Sequence, residues 1–136
     1  MAQSVANVDY ATGSQGTSPD AANTHAMAGR KPNSQQNESC QQAYSGTMRQ
    51  LGNDVNNGNI PKALHTIQDA TAPGHAGYQP YTGLLNLSLS HLWSDAKPGL
   101  GPINQAIQNT EQFMTDYWND PNNVNPANSL PQNPCH

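Results

Sequence analysis

Two pairs of histidine and aspartate restrict the possible folds of this chain more than any other feature. The pairs are His65 with Asp69 and His91 with Asp95, and three residues separate the members of each pair. Residues four apart lie on the same face of an α helix, so each pair predicts a helix that presents an imidazole beside a carboxylate. Helical bundles build metal centres when two such helices turn these faces toward a shared interior.

The spacing of apolar residues extends this prediction to about four helices. They are expected over residues 34–55, from Ile60 to just before Pro73, over residues 84–96, and from Pro102 onward. Apolar residues recur in them at three- and four-residue intervals, and proline or glycine separates them. The predicted buried side of the fourth helix comprises Ile103, Ala106, Ile107, Phe113, Met114, Tyr117 and Trp118. The predicted class is all-α, a small helical bundle with a metal cluster between helices.

The length of 136 residues predicts a single domain, residues 1–136, with a small core. We expect a loop-rich segment over 1–33 with at most a short helix near 21–28, a helical core over 34–119, and an irregular tail over 120–136. Only 34% of the residues are hydrophobic. Charged residues make up 10%, against roughly 25% in ordinary soluble domains. A bound metal would stabilise so small a core by joining ligands from distant positions.

The net charge of −4 argues against a nucleic-acid-binding module that neutralises phosphates with lysine and arginine. An enzyme can bind phosphate through metal ions, so nucleic acid is left open as a substrate. No stretch approaches the roughly 20 apolar residues of a membrane-spanning helix. No secretory signal is expected at the start, because a basic start followed by an apolar run is missing. We therefore expect a protein that acts outside its cell to be delivered as part of something larger.

Cys40 and Cys135 are the two cysteines of the chain. Without a C-x-x-C motif, their spacing excludes a thiolate zinc site. They either form a disulfide that joins the tail to a helix, as in an exported protein, or are two free thiols. The sequence does not choose between these alternatives.

A third histidine follows the first pair. His75 comes directly after Pro73-Gly74, where the chain can turn and bring another imidazole back toward His65 and Asp69. Imidazole and carboxylate ligands suit zinc, and manganese or iron less well. Surface hydrogen bonds and a loop histidine are the alternative interpretation. Two pairs with a histidine between them favour the metal site.

These residues resemble the metal-binding signature of bacterial zinc-dependent phospholipase C, which related fungal single-strand nucleases share. The resemblance covers residues 65–95: His65-x3-Asp69-x5-His75, with Pro73 two residues before the last histidine, and then His91-x3-Asp95. It implies an all-α enzyme that hydrolyses phosphate esters. Phospholipid is the expected substrate, and DNA or RNA the alternative. A non-catalytic domain with structural zinc is disfavoured, because closed structural sites commonly use cysteine.

The resemblance also implies a ligand set for two zinc ions. One ion would be held by His75, His91 and Asp95, and the other by His65 and Asp69 with an upstream histidine and aspartate. The implied metal-binding residues are His25, His65, Asp69, His75, His91 and Asp95. His25 is included because it is the only upstream histidine.

The upstream aspartate is either Asp9 or Asp20. We prefer Asp9, because the family separates this ligand from the histidine by a dozen or more residues. Asp9 would orient or deprotonate the attacking water, and Asp69 would bridge the metals. Family members hold a third metal partly through an N-terminal tryptophan, whereas this chain begins with Met1 and its first tryptophan is Trp93. We therefore expect two or three zinc ions.

The segment HTIQDATAPGHAGYQP, residues 65–80, also resembles toxin domains at the C-terminal ends of large Rhs-type bacterial polymorphic proteins. This resemblance implies an effector that is secreted, or delivered into a target cell, by a parent Rhs-type carrier. A cognate immunity protein would be its expected partner.

Overall fold

A computed structural model of the chain describes residues 2–11, 15–81 and 100–135. These residues contain helices and no named strand, which confirms the predicted all-α class. The α helices are α1 (Ala2–Ala6), α2 (Pro19–Thr24), α3 (Cys40–Asn56), α4 (Ile60–Asp69) and α5 (Leu100–Asn119). Short 3-10 helices span Asn7–Tyr10, Pro73–His75 and Pro126–Asn128. The helix predicted over residues 84–96 lies outside the described residues.

The N-terminal segment is more helical than predicted. It contains α1, the 3-10 helix that follows it, and α2, whereas one short helix near residues 21–28 was the most expected. The side chain of Ser18 caps α2 by accepting a hydrogen bond from the backbone N–H of Ala21, and Pro19 occupies the first turn. Both features favour the start of a helix, so α2 begins and ends earlier than predicted.

The predicted start of the next helix at residue 34 is wrong, because α3 begins at Cys40. Asn33 has a positive φ of 56°, which no α helix accommodates. Ser39 and Gln42 form a capping box, in which each side chain bonds the backbone N–H of the other. This reciprocal pair satisfies two of the N–H groups that a helix start leaves without partners, and it fixes the first turn of α3.

Helix α4 lies at the centre of the fold and contacts α1, α2, α3 and α5. It begins at Ile60 with Pro61 in its first turn, as predicted, and ends at Asp69 before Pro73. One side of α4 contributes to the main hydrophobic core, whose buried members are Val5, Leu51, Val55, Ile60, Ala63, Leu64, Ile67, Phe113 and Leu130. Because α4 is held on several sides, residues on its remaining face occupy well-defined positions.

The predicted buried side of α5 is partly wrong. Phe113 is fully buried, but Ile103, Ile107 and Trp118 are 42%, 50% and 81% exposed. These three lie about 80° to 140° around the helix from Phe113, at about 100° per residue. Helix α5 therefore turns only the narrow face around Phe113 toward α4. The helix also begins at Leu100, two residues before the predicted start at Pro102.

A disulfide joins Cys40, at the start of α3, to Cys135 in the tail, across a sequence separation of 95. It decides between the two alternatives that the sequence left open. The tail is irregular apart from the turn at Pro126–Asn128, and it contributes the buried side chain of Leu130 to the core. Among the described helices, none has both the length and the apolar character that crossing a bilayer requires.

Candidate metal centre

Four side chains from three parts of the fold converge between α2 and α4. Asp9 comes from the 3-10 helix Asn7–Tyr10, and His25 follows the last residue of α2. His65 and Asp69 lie one turn apart on α4, where the four-residue spacing predicted them to be neighbours. The short segments that carry Asp9 and His25 are thus brought against the face of α4 that the first His/Asp pair defined.

The atoms that could bind a metal lie close together. Oδ2 of Asp69 is 2.9 Å from Nδ1 of His25 and 3.1 Å from Nε2 of His65. The two imidazole nitrogens are 3.1 Å apart. Oδ1 of Asp9 lies 3.7 Å from the His25 nitrogen and 3.4 Å from the His65 nitrogen.

These five separations range from 2.9 to 3.7 Å, and the ligand–ligand distances of a tetrahedral metal site fall within this range. Bonds of about 2.0–2.2 Å in such a site keep neighbouring ligand atoms about 3.3–3.6 Å apart. Asp9, His25 and His65 could hold a metal ion. Asp69 lies beside this group, and its Oδ2 is within hydrogen-bonding distance of both imidazoles.

The centre opens to solvent on one side. The side chains of His25 and His65 are nearly fully buried, whereas that of Asp9 is 48% exposed. A small molecule from solvent would therefore meet the Asp9 carboxylate before the two imidazoles.

Side chains from three elements hold the end of α2 in place. The last carbonyls of a helix have no partner within it, and here three successive carbonyls accept bonds from side chains. The donor–acceptor pairs are Thr47 with Asn23, Thr66 with Thr24, and His75 with His25. The position of His25 is therefore fixed by hydrogen bonds from side chains of α3, α4 and the turn at Pro73–His75.

His75 is buried beside the four-residue group. Its Nδ1 donates a hydrogen bond to the backbone carbonyl of His25, and a carbonyl oxygen can only accept. Nδ1 therefore carries a proton, so Nε2 is the nitrogen through which a neutral His75 would bind a metal. The chain turns back after Pro73-Gly74 as predicted, and it places His75 on the backbone of His25.

The aromatic ring of Tyr81 packs on the imidazole of His25. The two rings are stacked at 5.5 Å with an interplanar angle of 23°. The Tyr81 hydroxyl donates to Oε1 of Gln15, and its backbone N–H donates to Ala28. Burial raises the pKa of Tyr81, and the nearby charges of Asp9 and Asp69 raise it further. Nothing in the local sequence pattern distinguishes this tyrosine from one that packs elsewhere.

Hydrogen bonds and charges within the centre lower the pKa of Asp69 and raise that of His65. Burial alone would raise the pKa of Asp69, but hydrogen bonds from His25 and His65, and the charges of His75 and His65, lower it well below its ordinary value. Burial alone would lower the pKa of His65, but the hydrogen bond and charge of Asp69 and the charge of Asp9 raise it. Asp69 thus provides negative charge that a cation can neutralise.

Asp20, the other candidate for the upstream aspartate, lies away from the centre. The side chain of Asp20 is 85% exposed and lies 4.0 Å from Arg49, so the structure brings Asp9 rather than Asp20 to the imidazoles. His91 and Asp95 lie outside the described residues.

No protein-family model, curated protein or solved structure matches this chain. The interpretation of the centre therefore depends on its own geometry and on the signature in residues 65–95.

Proposed function

We propose that this chain is a zinc-dependent, phospholipase C-like hydrolase of phosphate esters, and that it is the toxin domain of a larger Rhs-type bacterial protein. The observation that carries the proposal is the convergence of Asp9, His25 and His65 into a group that could hold a metal ion, with Asp69 hydrogen-bonded to both imidazoles. The signature over residues 65–95 supplies the reaction class. We expect a cognate immunity protein as a partner.

The ligand chemistry supports zinc. Two imidazole nitrogens and two carboxylate oxygens form the set, and zinc accepts both kinds of ligand in catalytic sites. Both cysteines are bonded to each other, so thiolate ligands do not compete. We propose that His75 holds a second zinc with His91 and Asp95, as the resemblance implies.

Each residue of the centre would have a separate role in hydrolysis. Bound zinc supplies a Lewis acid that polarises the phosphate and lowers the pKa of a bound water. His25 and His65 hold their nitrogens at fixed positions, and Asp69 supplies negative charge between them. Asp9 has the exposed carboxylate, so it is the group placed to orient an entering water and accept its proton.

Two observations favour phospholipid over nucleic acid as the substrate. The net charge of −4 disfavours electrostatic attraction of a polyanion. The disulfide between Cys40 and Cys135 suits an oxidising compartment, where membrane lipid is an accessible phosphodiester. We therefore propose that the domain is secreted or delivered to act on membrane phospholipid.

The test is hydrolysis of phosphatidylcholine vesicles and of single-stranded DNA and RNA by zinc-loaded protein, each with and without a chelator. We expect chelator-sensitive release of the phosphorylated head group. Chelator-sensitive cleavage of nucleic acid alone would replace the lipid substrate with the nuclease alternative, and hydrolysis of neither would refute the proposed activity.

Paired aspartate variants sharpen this test. Asp9→Asn removes the proposed proton acceptor, whereas Asp20→Asn makes the same change at an exposed aspartate that the sequence also allowed. We expect Asp9→Asn to lose activity and Asp20→Asn to retain it.

A further inference from the structure

Thr66 joins the two segments that carry the imidazoles of the centre. Its side chain is fully buried, and its hydroxyl donates to the backbone carbonyl of Thr24 at 2.8 Å. Thr66 directly follows His65, and Thr24 directly precedes His25. The bond therefore crosses between α4 and α2 at the point where the two imidazole nitrogens approach to 3.1 Å.

The direction of this bond is unusual for a threonine inside a helix. Such hydroxyls commonly bond the carbonyl four residues earlier in their own helix, which here belongs to Lys62. That carbonyl is 3.2 Å from the Thr66 hydroxyl, farther than the 2.8 Å to Thr24. A hydroxyl has one proton to donate. The Thr66 hydroxyl therefore donates to the nearer acceptor, the Thr24 carbonyl in α2.

We propose that Thr66 is a positioning residue that sets the separation of His25 and His65 and thereby the affinity of the centre for a divalent metal. The inference rests on the proposed function only in requiring that the centre binds metal. Helix α2 has six residues, too few to be stable by itself, so its place depends on the bonds it makes to its neighbours. Without the Thr66 hydroxyl, α2 stays attached to α3 through Thr47 but loses its bond to α4.

Thr47 provides a matched control. It is also fully buried, and its hydroxyl donates to the carbonyl of Asn23, next in line at the end of α2. It projects from α3, which carries none of the four residues of the centre. Replacing either threonine by valine removes one buried hydroxyl and retains the shape of the side chain. The two variants therefore share the loss of a buried bond but differ in whether that bond spans the two imidazoles; T47V also removes a hydrogen bond between Thr47 and Tyr78, which makes it the more disruptive control.

The experiment measures the Kd for Zn²⁺ by competition with a chromophoric chelator, and the visible spectrum of the Co²⁺-loaded protein, which reports coordination geometry. The proteins are the wild type, T66V, T66S and T47V, each first shown by circular dichroism to be folded. We expect T66V to bind Zn²⁺ about 10- to 100-fold more weakly, the usual effect of losing a group that orients a ligand, with an altered Co²⁺ spectrum. T66S keeps the hydroxyl and should bind within about threefold of the wild type, as should T47V.

Equal affinity of T66V and the wild type, or equal weakening by T66V and T47V, would overturn the positioning role. If T66V does not fold, T66A replaces it, because the smaller side chain leaves room for a water on the Thr24 carbonyl. A wild-type protein that binds neither Zn²⁺ nor Co²⁺ would instead refute the proposed function, so the two failures are distinguishable.

Discussion

Nε2 of His65 lies 3.1 Å from Nδ1 of His25, although 40 residues separate the two histidines in the sequence. Both nitrogens also lie within 3.1 Å of the same oxygen of Asp69. A proton on one nitrogen can form a hydrogen bond to only one neighbour at a time. A metal cation among the three atoms would bind both nitrogens and the carboxylate oxygen together. The metal interpretation follows from this three-way contact and from Asp9, which forms with the two histidines a group that could hold a metal ion.

Replacing Asp69 by asparagine is expected to remove bound metal and activity together. The change keeps the size of the side chain but removes the charge that lies between the two imidazoles. We expect activity to fall by at least about 100-fold, since loss of a direct ligand should exceed the 10- to 100-fold effect of losing an outer-shell partner. Zinc content by elemental analysis and the initial rate are the measurements. Full zinc content with full activity would refute the role of Asp69.

Two glycines of α3 are expected to respond to alanine in opposite directions. A Cβ at Gly46 would lie 1.6 Å from Oδ1 of Asn23, whose amide donates to Glu38 and is buried. A Cβ at Gly52 would meet only Pro126 at an ordinary 3.9 Å. We expect Gly46→Ala to lower the free energy of unfolding by about 2 kcal/mol through overpacking, and Gly52→Ala to raise it by about 0.5–1 kcal/mol through helix propensity. Chemical denaturation measures both, and a stabilising Gly46→Ala would show that the contact with Asn23 is loose.

The disulfide is expected to contribute a large part of the stability. It closes a loop across a separation of 95 residues, and cross-linking a loop of this size stabilises a protein by about 4–5 kcal/mol in the chain-entropy description. The double variant Cys40→Ser/Cys135→Ser should therefore unfold at much lower denaturant concentration than the oxidised protein. A reducing agent should destabilise the wild type and leave the double variant unchanged. A difference below about 1 kcal/mol would mean that the tail is held by its packing instead.

Asp54 is expected to make the protein less stable as the pH rises. Burial raises the pKa of Asp54 above its ordinary value of 3.8, and the charge of Lys62 only partly offsets this. Because the folded protein then binds this proton more tightly than the unfolded chain, the free energy of unfolding falls as the pH rises from about 3.8 through the raised value. The carboxylate is destabilising at neutral pH relative to its protonated form.

The variant Asp54→Asn isolates this contribution. Asparagine keeps an oxygen near Lys62 and Gln50 but carries no charge, so we expect a smaller loss of stability as the pH rises above 3.8. Asp20→Asn removes a charge from an exposed position and should retain the wild-type pH dependence. Stability curves at several pH values compare the three proteins. An unchanged slope in Asp54→Asn would contradict the prediction.

The sequence predicted the parts of the fold and the site that depend on local periodicity. His65 and Asp69 meet because four residues make about one helical turn. Helix α4 begins at Ile60, as predicted from Pro61, because proline is favoured in the first turn of a helix. The start of α3 was missed because the Ser39 capping box overrides the apolar pattern that begins upstream.

Contacts between residues distant in the sequence could not be predicted from local sequence patterns. Bonds from Thr47, Thr66 and His75 to successive backbone carbonyls place His25, and the sequence pattern did not predict these bonds. The exposure of Trp118 depends on how α5 rotates against α4, and a wide apolar face does not determine which part of it is buried. The disulfide likewise required the path of the tail to be known.

Anomalous X-ray diffraction from crystals of zinc-loaded protein, with data collected on both sides of the zinc absorption edge, tests the metal centre most directly. We predict an anomalous peak about 2.0–2.2 Å from Oδ1 of Asp9, Nδ1 of His25 and Nε2 of His65, with Oδ2 of Asp69 beside it. Zinc-replete crystals with no peak among these four atoms would contradict it.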